Sequence, residues 1–178
     1  MKLLLADPRS AARAALGSIL VALAAGSACA QSLPSPTAKP CESSEHRQFD
    51  FWVGHWEVFG PAGKKVGENR IEAIADGCAL LEQWSGNGGV TGKSLNIYDT
   101  SDRRWHQTWV DSGGTLLILA GGLVDGSMVM RSPESAPELQ RITWMPNADG
   151  SVRQLWESSS DRGSSWTVLF DGRYVRAR

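Results

Sequence analysis

Histidine and cysteine are scarce in this chain, with three residues of each, and their spacing excludes the commonest metal chemistries. His46, His55 and His106 form no His-Glu-x-x-His pattern, and Cys29, Cys41 and Cys78 form no Cys-x-x-Cys pair. The recurrent zinc-ligand spacings are therefore missing, and neither a metal nor a cofactor is expected. The absence of a Gly-x-Ser-x-Gly elbow removes the α/β-hydrolase type of nucleophile. No glycine-rich loop leads from a strand into a helix, and the glycines from Gly86 to Gly89 suit a hairpin better than a phosphate cradle. Eighteen basic residues against nineteen acidic ones, with no basic patch or long charge run, leave nucleic acid without an electrostatic footprint. Amphipathic helices of ordinary length are also missing, which argues against parallel βαβ units.

The first thirty residues read as a signal peptide. Lys2, Arg9 and Arg13 form a basic start, an apolar run spans 14–25, and Ala28-Cys29-Ala30 offers small residues for cleavage. The run is short for a permanent membrane helix. An uncleaved anchor is one alternative, and a lipoprotein modified at Cys29 is another, although Gly26-Ser27-Ala28 lacks the expected aliphatic residue. Cleavage after Ala30 removes three bases and the acid Asp7, moving the formal charge from −1 to −3. The product is expected to be periplasmic or secreted, with no second membrane segment. It keeps two cysteines, Cys41 and Cys78, which export favours as a disulfide. The alternative is a pair of independent thiols, with Cys78 a small buried hydrophobe.

Residues 31–43, rich in proline and small polar groups, read as a linker, and 44–178 as the folded domain. Ser43 and Ser44 before Glu45 are placed to cap a short helical turn. Turn signals then recur at Pro61–Lys64, Asp76-Gly77, Gly86–Gly89, Ser112–Gly114, Asp125-Gly126, Asp149-Gly150 and Asp161–Gly163. Between them lie segments of strand composition near 53–59, 66–74, 79–85, 91–99, 104–111, 115–121, 127–131, 139–145, 151–158 and 165–175. About ten short hairpin-linked strands have an edge problem, and closure into an antiparallel up-and-down barrel removes it. A two-sheet sandwich is the alternative.

All eight tryptophans fall between Trp52 and Trp166. Residues i and i+2 of a strand share a face, which pairs Glu82 with Trp84, Asn96 with Tyr98, Gln107 with Trp109, and Gln154 with Trp156. Repeated pairing of a polar group with a ring suits a cavity that grips a small, partly apolar molecule. The opposite face carries Leu81, Leu95, Ile97 and Leu155, so periodicity alone leaves open which face points inward. The mixed face is expected to line the lumen, because buried polar groups need partners that a wet or liganded cavity supplies. On that reading Gln107→Leu should hold or raise stability while weakening binding.

Phe49–Val58, with Gly77–Glu82, Ser94–Asp99 and Trp105–Asp111, is similar to the blocks of a widespread bacterial family of uncharacterised secreted proteins. The likeness runs from Cys41 to the C-terminus. It implies a calycin-like β-barrel related to lipocalins and nitrobindins. Gly54-His55-Trp56 resembles the Gly-x-Trp signature of the first lipocalin strand, whose tryptophan packs on a late arginine. Here that arginine would be Arg173 or Arg176. Haem-binding nitrobindin-like barrels use a histidine near the chain end, and none follows His106, so haem is not carried over.

The leading expectation is an exported binding or carrier barrel with Glu82, Trp84, Asn96, Tyr98, Gln107, Trp109, Asp111, Gln154 and Trp156 at its site. Two alternatives stay open. One is an enzyme of the same shape using Glu82 or Asp111 as acid or base, since desolvation beside tryptophan raises a carboxyl pKa. The other is a structural or protein-interaction module.

Overall fold

The computed structural model describes residues 40–178. The expected signal segment 1–30 and residues 31–39 of the expected linker lie outside the described residues. Ten antiparallel strands follow one another around a closed barrel. They are β1 (Gly54–Phe59), β2 (Lys65–Ile74), β3 (Ala79–Gly86), β4 (Thr91–Asp99), β5 (Arg104–Asp111), β6 (Leu116–Val124), β7 (Ser127–Arg131), β8 (Leu139–Pro146), β9 (Val152–Ser159) and β10 (Thr167–Arg176). Each strand pairs with the next, and β1 pairs with β10 through Trp56 opposite Arg176 and Val58 opposite Tyr174. Closure leaves no open sheet edge, which is why ten short strands suffice. The sandwich alternative is set aside.

Many of the reversals use Asp or Gly, which tolerate positive φ, although Ala75, Arg103 and Arg162 also take it. Between β6 and β7 Asp125 and Gly126 both take positive φ, 48° and 80°, the conformation a two-residue hairpin loop requires. Two reversals carried no glycine signal: residues 100–103 between β4 and β5, and 132–138 between β7 and β8.

One end of the barrel is plugged by two 3₁₀ turns, Glu45–Arg47 and Asp50–Trp52. The first lay where the serines placed it, but Ser44 makes no capping bond; Ser43 Oγ instead meets His46 Nδ1 at 2.9 Å. The second turn drives Phe49 and Trp52 into the lumen, where both are fully buried. Phe49 stacks on Trp52 at 4.8 Å and meets Trp105 and Trp144 edge-on at 5.6 and 5.1 Å. Indole N–H groups tie the plug to the wall: Trp56 Nε1 donates to Trp52 O at 2.8 Å and Trp105 Nε1 to Glu45 O at 3.1 Å. Outside this end Arg176 lies over the Trp56 ring at 4.0 Å and donates to Val53 O at 2.7 Å. Of the two arginines considered, Arg176 is therefore the stacking one, while Arg173 pairs with Asp149. A disulfide joins Cys41, just before the plug, to Cys78, just before β3.

The mixed face points inward. Glu82, Asn96, Gln107 and Gln154 are all buried, whereas Leu95 is 55% and Leu116 62% exposed on the outer wall. Leu119, Met128, Met130, Ile71 and Leu80 fill the inner layer between the plug and the middle of the barrel.

Candidate functional site

A strand rises about 3.3 Å per residue, so each strand contributes only a few inward side chains. At mid-barrel the inward set is polar and forms a continuous belt. Gln107 Nε2 donates to Asn96 Oδ1 at 2.8 Å, and Asn96 Nδ2 donates to Ser94 Oγ at 2.8 Å. Ser94 Oγ donates to Glu82 Oε2 at 2.6 Å, and Asn69 Nδ2 donates to Glu82 Oε1 at 2.7 Å. Asn69 Nδ2 also reaches Tyr174 OH at 3.3 Å, and that hydroxyl donates to Gln154 Oε1. The belt thus crosses from β5 through β4, β3, β2 and β10 to β9. Its charge-bearing member is Glu82. Burial pushes the Glu82 carboxyl up to about 7, against the lowering effect of the Ser94 and Asn69 hydrogen bonds. Burial likewise raises the Tyr174 hydroxyl well above its ordinary value, with Glu82 as a second cause.

Above the belt, toward the end opposite the plug, lies a cavity of about 140 Å³. Glu82, Gln107, Gln154 and Tyr174 form its floor, Trp84, Trp109, Trp156 and Phe170 its walls, and Leu117, Ile142, Val90 and Asp111 complete the lining. Wall space comes from three inward glycines, Gly67, Gly92 and Gly172, none with a positive φ. A Cβ on Gly67 would lie 2.5 Å from Trp84 Cη2, one on Gly92 2.3 Å from Trp109 Cη2, and one on Gly172 2.5 Å from Phe170 Cε1. These glycines are seats: each ring lies along the wall over bare backbone instead of projecting into the lumen. Two indole N–H groups are engaged by the protein, Trp109 Nε1 donating to Asp111 Oδ2 at 3.2 Å and Trp156 Nε1 to Gln140 Oε1 at 2.6 Å.

No protein-family model matches the chain, and no curated protein matches it. What the barrel does is therefore read from its own geometry.

Seven of the nine expected site residues meet at this cavity: Glu82, Trp84, Gln107, Trp109, Asp111, Gln154 and Trp156. Asn96 lies behind the floor, fully buried, holding Gln107 and Ser94. Tyr98 is the misplaced one. It faces the lumen but at the plugged end, against His46 at 5.1 Å and Trp105 at 6.2 Å. Strand direction explains both outcomes. On β3, β5 and β9 the residue two places after the polar group lies nearer the open end, whereas β4 runs the other way and carries Tyr98 toward the plug. The same reversal identifies what sequence reasoning missed. On even strands the wall group should precede the polar one, as Gly92 precedes Ser94 on β4, Gly67 precedes Asn69 on β2, and Phe170 precedes Tyr174 on β10.

Asp111 differs from Glu82 in kind. Its Oδ1 accepts from Gly113 N at 2.9 Å and Thr115 N at 3.0 Å. These bonds, led by that from Thr115, hold its carboxyl below the usual range, so it orders the β5–β6 turn at the rim. It is not a group poised to exchange a proton near neutrality. Among the described residues Asp99, Asp102 and His106 also bring potential metal-ligand atoms within 4.8 Å of one another, on the outside of the barrel. Hydrogen bonds account for that arrangement: Asp99 and Asp102 accept from the turn amides of Ser101 and Arg104, and His106 Nε2 meets Asp102 Oδ2 at 2.8 Å.

Proposed function

We propose that this protein is an exported binding or carrier barrel that holds a small, partly apolar molecule in the cavity above Glu82. The observation that carries the reading is the convergence of three tryptophans, two glutamines and a buried carboxyl from non-neighbouring strands on one space. Apolar walls with a few placed polar groups are the general form of a small-molecule site. Seating rings on glycines keeps that space open, where a barrel built for stability alone would fill it. Export is supported by the Cys41–Cys78 disulfide and by the signal-like start of the chain. Among the described residues no helix is long and apolar enough to cross a membrane. Membership in the calycin-like group belongs to the same proposal, supported by the up-and-down closure and the Trp56–Arg176 stack.

A second reading, an acid–base enzyme of the same shape, is favoured by one observation. Glu82 sits at the cavity floor with a pKa near neutrality, where a carboxyl group can both give and take a proton. Native mass spectrometry of protein exported with its own leader separates the readings. A bound small molecule released unchanged on denaturation supports the carrier. Conversion of that molecule, lost in Glu82→Gln, replaces it with the enzyme. A protein that carries no small molecule, and whose melting temperature no compound in a small-molecule library shifts, overturns both.

A further inference from the structure

Charge is distributed unevenly around the cavity. Its lining contains two carboxyl groups, Glu82 and Asp111, and no lysine, arginine or histidine. The electrostatics therefore disfavour a fatty acid, a phosphate or any other anion, which would meet two acids without a counter-charge in a partly desolvated space. Aromatic rings make up most of the wall. Trp84, Trp109 and Phe170 lie over Gly67, Gly92 and Gly172, and Trp84 meets Phe170 at 5.9 Å with the ring planes 81° apart. The N–H groups of Trp109 and Trp156 are bonded to Asp111 and Gln140, so these walls offer π faces more than donors. A ring face is the negative side of the aromatic quadrupole. At the floor, Glu82 accepts two hydrogen bonds, one on each oxygen, and a carboxylate has further lone pairs for a ligand. Gln107 commits its Nε2 to Asn96, which leaves its carbonyl oxygen as the group to present upward. Gln154, whose Oε1 accepts from Tyr174, offers its Nε2 as a donor at the floor, but no cationic side chain stands in the lining to oppose a bound cation.

From this we infer that the ligand is a small organic cation, an alkylammonium or arylammonium compound, whose charged head rests above Glu82 and whose carbon groups lie on the faces of Trp84, Trp109 and Trp156. The inference rests on the binding-barrel reading and narrows it. Without a ligand Glu82 holds its proton up to about pH 7, so a cation must displace that proton. Affinity should then rise with pH until the carboxyl is ionised in the free protein. The other titratable groups nearby do not interfere. Tyr174 stays protonated because burial raises its pKa, and Asp111 stays ionised because the backbone amide of Thr115 and its other hydrogen-bond partners hold its pKa down.

The experiment titrates the full exported protein with choline, with benzyltrimethylammonium, and with neopentylcarbinol, in which carbon replaces the nitrogen of choline. Tryptophan fluorescence and calorimetry report binding. Given a pKa of about 7 for Glu82, the ionised fraction sets the apparent affinity, so the cations should bind about tenfold more tightly at pH 8 than at pH 6. Neopentylcarbinol should bind more weakly than choline at pH 8 and show no pH dependence. Glu82→Gln should abolish the pH dependence and reduce cation affinity at pH 8 at least tenfold, leaving neopentylcarbinol unchanged. If the variant does not fold, the pH dependence of the unmodified protein carries the decision. Equal or tighter binding of neopentylcarbinol at pH 8 overturns the cation assignment and leaves the binding barrel standing. Failure of both cations to bind at millimolar concentration also overturns it, and the native mass measurement then decides separately whether the barrel binds anything.

Discussion

Glu82 is the residue with most consequence. Its pKa is raised from the ordinary 4.5 to about 7 because burial penalises the charged form more than Ser94 and Asn69 favour it. Between those two values the folded protein holds a proton that the unfolded chain has released. Stability therefore falls as pH rises through this window: the contribution is fully present below about pH 4.5 and lost above about pH 7. At about 1.4 kcal/mol per pKa unit the loss is on the order of 3 kcal/mol. Urea unfolding at pH 5 and pH 8 should show this decline in the natural protein and its absence in Glu82→Gln; equal slopes in the two would mean that Glu82 is ionised throughout. The glycine seats give a second expectation at this scale. Gly92→Ala places a methyl 2.3 Å from Trp109 Cζ2, so the ring must swing into the lumen. Overpacking of that kind costs about 1–3 kcal/mol. Gly122→Ala, where nothing lies within 4 Å, should be close to neutral by the same measurement. Gly92→Ala should also shift tryptophan emission and block ligand entry, whereas an unchanged spectrum would show that the ring has room elsewhere.

Turn chemistry made the strands legible as elements. Each of the ten sequence-based segments coincides with one of the ten strands to within a few residues. Asp or Asn beside glycine marks a reversal because few other residues accept positive φ. The plug was less legible. Only its first turn had a serine signal, and Phe49-Asp50-Phe51-Trp52 carries no periodicity that distinguishes a plug from a strand. Its position depends on long-range packing against Trp105 and Trp144. The disulfide fastens this element to the start of β3 across a separation of 37 residues. A loop of that length implies a loss of roughly 4 kcal/mol when both cysteines are replaced, on the chain-entropy model. Cys41→Ser with Cys78→Ser should therefore lower stability by about that amount and speed amide exchange at Trp52 and Val53, whose N–H groups bond within the plug. Lost stability with unchanged exchange there would show that aromatic packing alone holds the plug.

Closure of the whole barrel follows from strand number and the cost of open edges, both readable in sequence. The inward face is harder to read, because Leu95, Ile97, Leu116 and Ile118 make the outer wall apolar as well. Apolar content could not separate the faces; the decisive clue was chemical, namely polar groups recurring beside rings. The belt was invisible for another reason. It joins Gln154 on β9 to Gln107 on β5 through Tyr174, Asn69, Glu82, Ser94 and Asn96, and such contacts exist only after closure. This reverses one expectation drawn from sequence. Gln107→Leu was expected to hold or raise stability, as replacing a group kept for binding would. In the folded barrel Gln107 is instead the donor to Asn96 Oδ1, and Asn96 is fully buried. Leucine would leave that oxygen unpaired, at a cost of about 1–3 kcal/mol. Gln107→Leu should therefore destabilise the protein as well as weaken ligand binding. Adding Asn96→Leu should recover part of the loss if the cost lies in the stranded oxygen, because it removes that oxygen, while Ser94 Oγ, which loses the Asn96 donor, keeps its bond to Glu82. Urea unfolding of both single variants and the double variant completes the cycle. Simple additivity would place the cost in altered packing, and the belt would then be a lining for the cavity without a structural role of its own.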